Sequence, residues 1–284
     1  MIRLSAFADE AAKDLEGQIA ALKRNGIPYI EVRGINGTNV ADLTEEEAAT
    51  YAKAFSDAGI RVWSIGSPLG KVKIDCDYDA YLEKVAHVCR LAKIFGTEKI
   101  RMFSFKEAYE SEETVYDYLR KMVKVAEENG VQLYHENEKR IFGDTVERVL
   151  KIRDHVEGLK FIYDPANFLE VGEDSAYSMK ELHGLTDYFH IKDVISETGE
   201  LVPAGYGDGR IGELVAKIGD DDKVLTLEPH LAVFDGYAEI DESKMKNKFC
   251  YASNGEAFDA AVTALKKVLA EQGYAEQIGG FVRV

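Results

Sequence analysis

Short apolar runs alternate with longer amphipathic segments along the whole chain. The longer segments carry apolar residues at helical spacing, as Leu15, Ile19 and Leu22 do. Each short run has the length and the continuous hydrophobicity of a strand that is buried on both faces of a parallel sheet. Eight predicted strands lie at residues 2–7, 29–32, 61–65, 99–103, 131–136, 161–164, 188–190 and 224–228.

Helix signals separate these strands. Thr44 with Glu47 forms the pattern of a capping box, and Gly26, Gly59 and Gly130 stop helices just before a strand begins. No shift in composition marks a domain boundary, and no G-x-G-x-x-G follows the first strand. The pattern therefore predicts one (β/α)₈ TIM barrel domain over residues 1–284 and argues against a doubly wound sheet. Predicted helices include 11–25, 78–95, 113–129, 145–155 and 258–272.

Composition narrows the class of protein. The 284 residues are 46% hydrophobic and 30% charged, as in ordinary globular proteins, and the net charge of −16 argues against a nucleic-acid partner. No apolar run approaches the roughly 18–20 residues of a membrane span, and Asp9 and Glu10 come too early for a secretory signal. The three cysteines lack metal-binding or disulfide spacing. We therefore expect a cytoplasmic protein with no membrane partner.

Four of the predicted strands end on a residue type that binds metals. They are Glu136, Asp164, His190 and Glu228, separated by 28, 26 and 38 residues, which suits one strand and one helix per step. The C-terminal ends of barrel strands converge on one face, so these side chains are expected to meet there. Oxygen ligands with one imidazole suit Mn²⁺, Mg²⁺ or Co²⁺, with Zn²⁺ also accepted. The set predicts a metal-assisted enzyme.

The strand ends also resemble a known family. The runs 133–137, 163–168, 188–193 and 227–230 are similar to those of the xylose isomerase-like TIM-barrel superfamily, in its sugar phosphate isomerase/epimerase branch. The resemblance implies one divalent cation, most often Mn²⁺, held by Glu136, Asp164, His190 and Glu228. It also implies a small sugar, keto-polyol or sugar phosphate as substrate, a possible homo-oligomer, and Glu136 and Glu228 as the acid/base pair.

The resemblance departs from the epimerases at Asn167, where those members often have a His. The His-x-Lys-Asp run with Lys192 is more similar to inosose- and hydroxypyruvate-type members. Two interpretations stay open for each remaining candidate. Lys192 either contacts substrate or pairs with Asp193 at the rim, and His230 either contacts substrate or packs the loop. The residues predicted to bind substrate are Lys192, Asn167, Glu31, Arg33 and His230.

Other polar residues near the strand ends have less certain positions. Glu31 and Arg33 either line the pocket or form a salt bridge with each other. The same two interpretations apply to Arg101, of which the structural one is favoured. Strand alternation directs His135 outward, toward the helices. The glycine-rich loop 205–210 is consistent with a phosphate site, although Asp208 would repel a phosphate.

The chemistry expected of such a site is the removal of a proton beside a carbonyl to form an enediolate. Return of the proton gives epimerisation or aldose–ketose isomerisation, between which the sequence does not choose. An inosose-type dehydratase (lyase) on the same metal site is one alternative. A barrel that binds a sugar without catalysis is the other.

Overall fold

A curled sheet of eight parallel strands forms the centre of the fold. The computed structural model describes residues 1–231, 233 and 249–284. Neighbouring strands are hydrogen-bonded in the order β1-β8-β7-β6-β5-β4-β3-β2, and β1 and β2 lie side by side to close the barrel. The predicted (β/α)₈ barrel is confirmed. The strands are β1 Ile2–Ala6, β2 Tyr29–Val32, β3 Arg61–Ile65, β4 Lys99–Met102, β5 Gln132–Glu136, β6 Lys160–Tyr163, β7 Tyr188–Ile191 and β8 Lys223–Leu227.

Helices cover the outside of the barrel, and their caps explain where they begin. Thr44 and Glu47 form the predicted capping box. The first helix begins later than predicted because Asp14 caps it, and the last begins earlier because Ser253 caps it. The described helices are α1 Leu15–Arg24, α2 Glu45–Asp57, α3 Tyr78–Ile94, α4 Glu112–Glu128, α5 Val146–His155, α6 Pro165–Glu170, α7 Ser175–Leu182, α8 Ile211–Ile218 and α9 Asn254–Glu271.

In the described residues, three hairpins add to the barrel. One pairs Gly34–Ile35 with Thr38–Asn39 after β2, and a second pairs Asp193–Ile195 with Glu200–Val202 at the C-terminal ends of the strands. The third pairs Tyr274–Gln277 with Gly280–Arg283 and joins β1 at Phe281. In the described part of the chain, no helix has both the length and the apolar character needed to cross a membrane.

Aromatic side chains fill part of the barrel interior. Tyr134, Ile162, Tyr188 and Val224 form a buried cluster against which Trp63 packs. The rings of Trp63 and Tyr188 meet edge to face with centroids 5.8 Å apart, a favourable geometry for aromatic pairs. Side chains two residues further along the same strands project from the same face, at the C-terminal side of this cluster. The cluster therefore forms the floor of the barrel mouth.

The loop after β3 is held tightly to the segment after β4. Leu69 O accepts a hydrogen bond from Phe103 N at 2.7 Å, and Gly70 O accepts one from Phe105 N at 2.8 Å. Gly70 has a φ of +84°, and a Cβ placed there would lie 2.0 Å from Phe103 O. Only glycine fits this approach, which fixes the rim of the barrel beside β4.

We expect Gly70→Ala to destabilise the fold far more than Gly172→Ala. Both glycines have a φ of +84°, but a Cβ at Gly172 meets nothing within 4 Å. Gly172→Ala should lower the free energy of unfolding by roughly 1–2 kcal/mol through backbone strain alone. Gly70→Ala should lower the free energy of unfolding by roughly 1–3 kcal/mol more, because the backbone at Phe103 must move to make room for the Cβ. Urea denaturation measures both values, and equal losses would contradict the proposed steric constraint.

Candidate active site

Three of the four predicted metal-binding residues meet above the aromatic floor. Glu136 ends β5, His190 lies on β7 and Glu228 follows β8, and all three side chains are buried. One potential ligand atom from each lies within 4.8 Å of the other two. The strands bring them together because each side chain lies two residues beyond an inward-facing residue: Tyr134, Tyr188 and Thr226.

His190 is surrounded by carboxylates on both sides of its ring. Its Nδ1 lies 2.8 Å from Glu136 Oε1 and 3.2 Å from Glu228 Oε2, and its Nε2 lies 3.1 Å from Glu31 Oε2. Burial lowers the pKa of His190, but the charges of Glu136 and Glu31 outweigh burial and raise it well above its ordinary value. Burial raises the pKa of Glu136, yet His190 and Arg101 bring it down to about 2. This centre therefore stabilises a positive charge at Nδ1.

The same geometry suits a divalent cation. Two carboxylate oxygens lie close to Nδ1, and they would repel its lone pair unless a proton or a metal ion lies between them. Glu228 Oε2 is buried and makes no hydrogen bond of normal geometry. One imidazole nitrogen with carboxylate oxygens is a donor set accepted by Mn²⁺, Zn²⁺ and related ions. Glu136, His190 and Glu228 thus fit the metal that the sequence predicts.

Asp164, the fourth predicted ligand, is held away from this cluster. Its Oδ1 accepts a hydrogen bond from Asn167 N at 3.0 Å, capping α6, and its Oδ2 lies 3.0 Å from Lys192 Nζ. Burial, reinforced by Glu136 and Glu228, raises the pKa of Asp164 to about 7 despite the opposing effect of Lys192. The structure therefore brings three ligands together and pairs the fourth with an internal ammonium group.

Two asparagines fix the position of that ammonium group. Lys192 Nζ donates to Asn167 Oδ1 at 2.8 Å, and Asn167 Nδ2 donates to Asn137 O at 2.9 Å. Asn137 in turn exchanges two hydrogen bonds with the backbone of Asp164. Lys192 thus pairs with Asp164, not with Asp193 as one interpretation of the sequence had it. Asn167, predicted to bind substrate, is buried and orients Lys192.

Two arginines border the carboxylates. Arg33 Nη1 lies 3.0 Å from Glu228 Oε1, and Arg33 also pairs with Asp9 at 2.8 Å. Arg101 Nη1 lies 3.2 Å from Glu136 Oε2. The structural interpretation of Arg101 is therefore incomplete, because its guanidinium is part of the site. Arg33 pairs with acids of other strands and loops, so the salt bridge to Glu31 considered from the sequence does not form.

His230 lies at the rim of the mouth. Its Nε2 is 3.1 Å from Glu10 Oε1 and 3.2 Å from Arg33 Nη1, and its side chain is 40% exposed. Burial lowers its pKa, but Glu10 outweighs burial and raises it. Glu10 and His230 border a cavity of about 240 Å³ that is also lined by residues of α9. His230 is thus partly exposed at the rim, and its contact with substrate stays a prediction.

Asp9 and Glu10 belong to the site and were not predicted as site residues. They lie in the short 3-10 turn Ala8–Glu10 that follows β1, and they pair with Arg33 and His230. Two adjacent acids a few residues after a predicted strand were the available signal.

Glu31 lies deeper than the sequence suggests. Its side chain has no exposed surface, and it accepts hydrogen bonds from Tyr188 and Thr226 beneath His190. Because the side chain has no exposed surface, the structure gives no support to the predicted substrate contact. Its position on the floor makes it a partner of His190 instead.

The glycine-rich loop after β7 binds a carboxylate of its own chain. Asp193 accepts hydrogen bonds from Gly205 N, Gly207 N and Gly209 N at 2.9, 3.0 and 2.9 Å. A Cβ at Gly207 would lie 2.4 Å from Asp193 Oδ1. These amides are therefore occupied by Asp193, and they do not form the phosphate cradle considered from the sequence.

His135 faces away from the mouth, as strand alternation predicts. Its Nε2 lies 2.9 Å from Ser104 Oγ, and the ring is fully buried. Burial lowers its pKa to about 3, so the ring is neutral and packs the barrel wall. It makes no contact with the candidate ligands through its side chain.

Comparisons with known proteins agree with this architecture. A 3-dehydroshikimate dehydratase from Bacillus anthracis is 22% identical over 229 residues, which are 72% of this chain and 81% of that protein. The IolI protein with a bound zinc atom has a TM-score of 0.71 at 16% identity, covering 95% of this chain and 99% of that one. An L-ribulose 3-epimerase has a TM-score of 0.69 at 19% identity, covering 96% of both chains. These structural likenesses establish the fold.

The family model for xylose isomerase-like TIM barrels matches residues 19–243, which include all three residues of the central cluster. The resemblance found in the strand ends is confirmed. This chain belongs to the xylose isomerase-like TIM barrel family.

Proposed function

We propose that this protein is a divalent-metal-dependent isomerase or epimerase of a sugar or keto-polyol that works through an enediolate. The observation that carries the proposal is the buried cluster of Glu136, His190 and Glu228 at the barrel mouth, whose ligand atoms lie close enough together to hold one metal ion. The sugar-epimerase neighbour supports the reaction class, and the zinc-containing neighbour supports a metal. The expectation of Mn²⁺ in particular stays a prediction.

Side chains of the site transfer the proton and provide the positive charge that holds the catalytic carboxylates. A divalent cation, when bound, acidifies the C–H bond beside a substrate carbonyl. Glu136 or Glu228 then removes the proton while the electron pair of the C–H bond moves to the carbonyl oxygen. Return of a proton to the opposite face of the same carbon gives the epimer, and return to the adjacent carbon gives the aldose–ketose isomer. Arg101 lies 3.2 Å from Glu136 and 3.8 Å from Glu228, so it holds both carboxylates in place.

Among the residues that the structure describes, the loop after β7 gives no support to a phosphate group on the substrate. The backbone amides of Gly205, Gly207 and Gly209, which would be the natural phosphate donors after β7, donate to Asp193. Arg33 is committed to Asp9 and Glu228. Hydroxyl groups of a neutral polyol can bind at the rim without displacing these ion pairs.

The buried ammonium of Lys192 favours a second candidate, a dehydratase. Lys192 is held by Asp164 and Asn167 beside the cluster, where a hydroxyl on the next carbon of an enediolate would need a proton to leave. In that step the C–O bond breaks, a C=C bond forms, and the hydroxyl departs as water with the proton from Lys192. The dehydratase relative supports this reaction class.

We expect the parent protein to bind a divalent cation and Glu136→Gln and Glu228→Gln to bind it more than roughly tenfold more weakly. Each substitution replaces a charged ligand oxygen with a neutral amide. Isothermal titration with Mn²⁺, Mg²⁺ and Zn²⁺ on metal-stripped protein measures the affinities. Glu138→Gln is the matched control, because Glu138 pairs with Lys71 at the rim and should leave the affinity unchanged. Absence of binding by the parent for all three ions would refute a metal-dependent reaction.

Incubation with ketoses and inososes in D₂O separates the two reactions. An isomerase or epimerase incorporates deuterium into a C–H bond, read by NMR, whereas a dehydratase also generates an enone with new ultraviolet absorbance. If Lys192 is the acid, Lys192→Met should abolish elimination and keep deuterium exchange, while Lys139→Met, on an exposed ion pair, should change neither. Neither deuterium nor absorbance with any substrate would favour the non-catalytic sugar-binding barrel.

A further inference from the structure

A second group of potential metal ligands lies beside the central cluster and shares one residue with it. Glu10, Glu228 and His230 each offer a ligand atom within 4.8 Å of the other two. Glu228 presents a different oxygen to each group, because its Oε2 lies 3.2 Å from His190 Nδ1 and its Oε1 lies 3.5 Å from His230 Nε2. Two carboxylates and one imidazole form a donor set that divalent cations accept. The mouth therefore offers ligands to two cations, with Glu228 common to both.

A guanidinium group already contacts every member of this second group. Arg33 Nη1 lies 3.0 Å from Glu228 Oε1 and 3.2 Å from His230 Nε2. Arg33 Nη2 lies 3.3 Å from Glu10 Oε1. An arginine side chain keeps its positive charge in proteins, so its place among these ligands does not depend on pH. Arg33 is thus a permanent cation at the second group.

Both the guanidinium and the ligands around it are held in fixed positions. Asp9 accepts two hydrogen bonds from Arg33, at 2.8 Å from Nε and 3.0 Å from Nη2. The guanidinium carbon lies 4.6 Å from the centroid of the Phe7 ring, a favourable cation–π distance. Glu10 Oε2 accepts a hydrogen bond from His230 N at 2.8 Å, and His230 has a φ of +46°, which few residues other than glycine adopt. The Nη1 group of Arg33 is therefore directed at the ligand atoms.

We propose that Arg33 takes the place of a second metal ion and so limits the mouth to one divalent cation. The guanidinium compensates the charges of Glu10 and Glu228 and fills the space in which an ion would meet their oxygens. Without it, Asp9, Glu10 and Glu228 would repel one another and attract a divalent cation instead. The first ion rests on the proposed function, whereas the occupation of the second group by Arg33 does not.

Arg33→Met tests the proposal because it removes the charge and keeps an unbranched side chain. We expect the parent to bind about one Mn²⁺ per chain at saturation and the variant to bind about two, a twofold increase. Equilibrium dialysis followed by elemental analysis counts the bound ions, and isothermal titration on metal-stripped protein gives an independent stoichiometry.

Arg61→Met is the matched control. Arg61 also lies over an aromatic ring, with its guanidinium carbon 4.3 Å from the centroid of Tyr29, but it begins β3 at the end of the barrel opposite the mouth. Its removal should leave the number of bound ions as in the parent. A double variant that combines Arg33→Met with His230→Ala locates the additional ion, since it should return the count to that of the parent.

An unchanged count in Arg33→Met overturns the proposal, and so does a parent that binds two ions. Retention of the additional ion in the double variant also overturns it, because that ion would then lie elsewhere. If the parent binds no divalent cation, the proposed function fails. The gain of one ion in Arg33→Met would still support the role of Arg33, and no gain would still overturn it.

Loss of a buried charge can prevent folding, which circular dichroism detects. In that case Arg33→Met is refolded with and without Mn²⁺. Folding only in the presence of Mn²⁺ would support the replacement of the guanidinium by a metal ion. Failure to fold in Mn²⁺, for both Arg33→Met and the more polar Arg33→Gln, would overturn it.

Discussion

The candidate site depends on the charge that His190 carries between carboxylates of three different strands. Glu31 contacts Nε2, while Glu136 and Glu228 contact Nδ1, and all of these groups are buried. Three carboxylates without a cation among them would repel one another strongly at this depth. The closed barrel brings the three carboxylates close together. The positive charge of the imidazolium, or of a metal ion bound to the imidazole, offsets their mutual repulsion.

Three further cations in the described part of the mouth are each matched to a carboxylate. Arg101 contacts Glu136, Arg33 contacts Glu228, and Lys192 contacts Asp164. Removing one member of such a buried pair typically costs 3–5 kcal/mol because its partner keeps an uncompensated charge. The network of ion pairs therefore makes the mouth rigid. A bound divalent cation would add positive charge to a site in which the side chains already compensate one another's charges.

The sequence predicted the features that depend on local pattern: the positions of the strands, and the residues at their C-terminal ends. Continuous apolar runs placed the eight strands, and the last residue of each run identified Glu136, His190 and Glu228. It did not predict how deeply Glu31 is buried in the barrel, because that depends on the contact of Glu31 with His190, which is 159 residues away in the sequence. For the same reason the sequence favoured a structural role for Arg101 over the position beside Glu136 that it occupies. The glycine loop was ambiguous because nothing local shows that its amides turn toward Asp193.

The choice between the two candidate reactions depends on the group that faces the carbon beyond the enediolate. At the position where epimerases often have a His, this chain has Asn167. Its side chain carries no charge at any pH, and it accepts a hydrogen bond from Lys192. An ammonium group there stabilises a departing hydroxyl, whereas return of a proton to carbon needs a protonated carboxyl on the opposite face. The cation centre is common to both reactions. The Asn167–Lys192 pair is therefore the part of the mouth in which we expect the two activities to be distinguished.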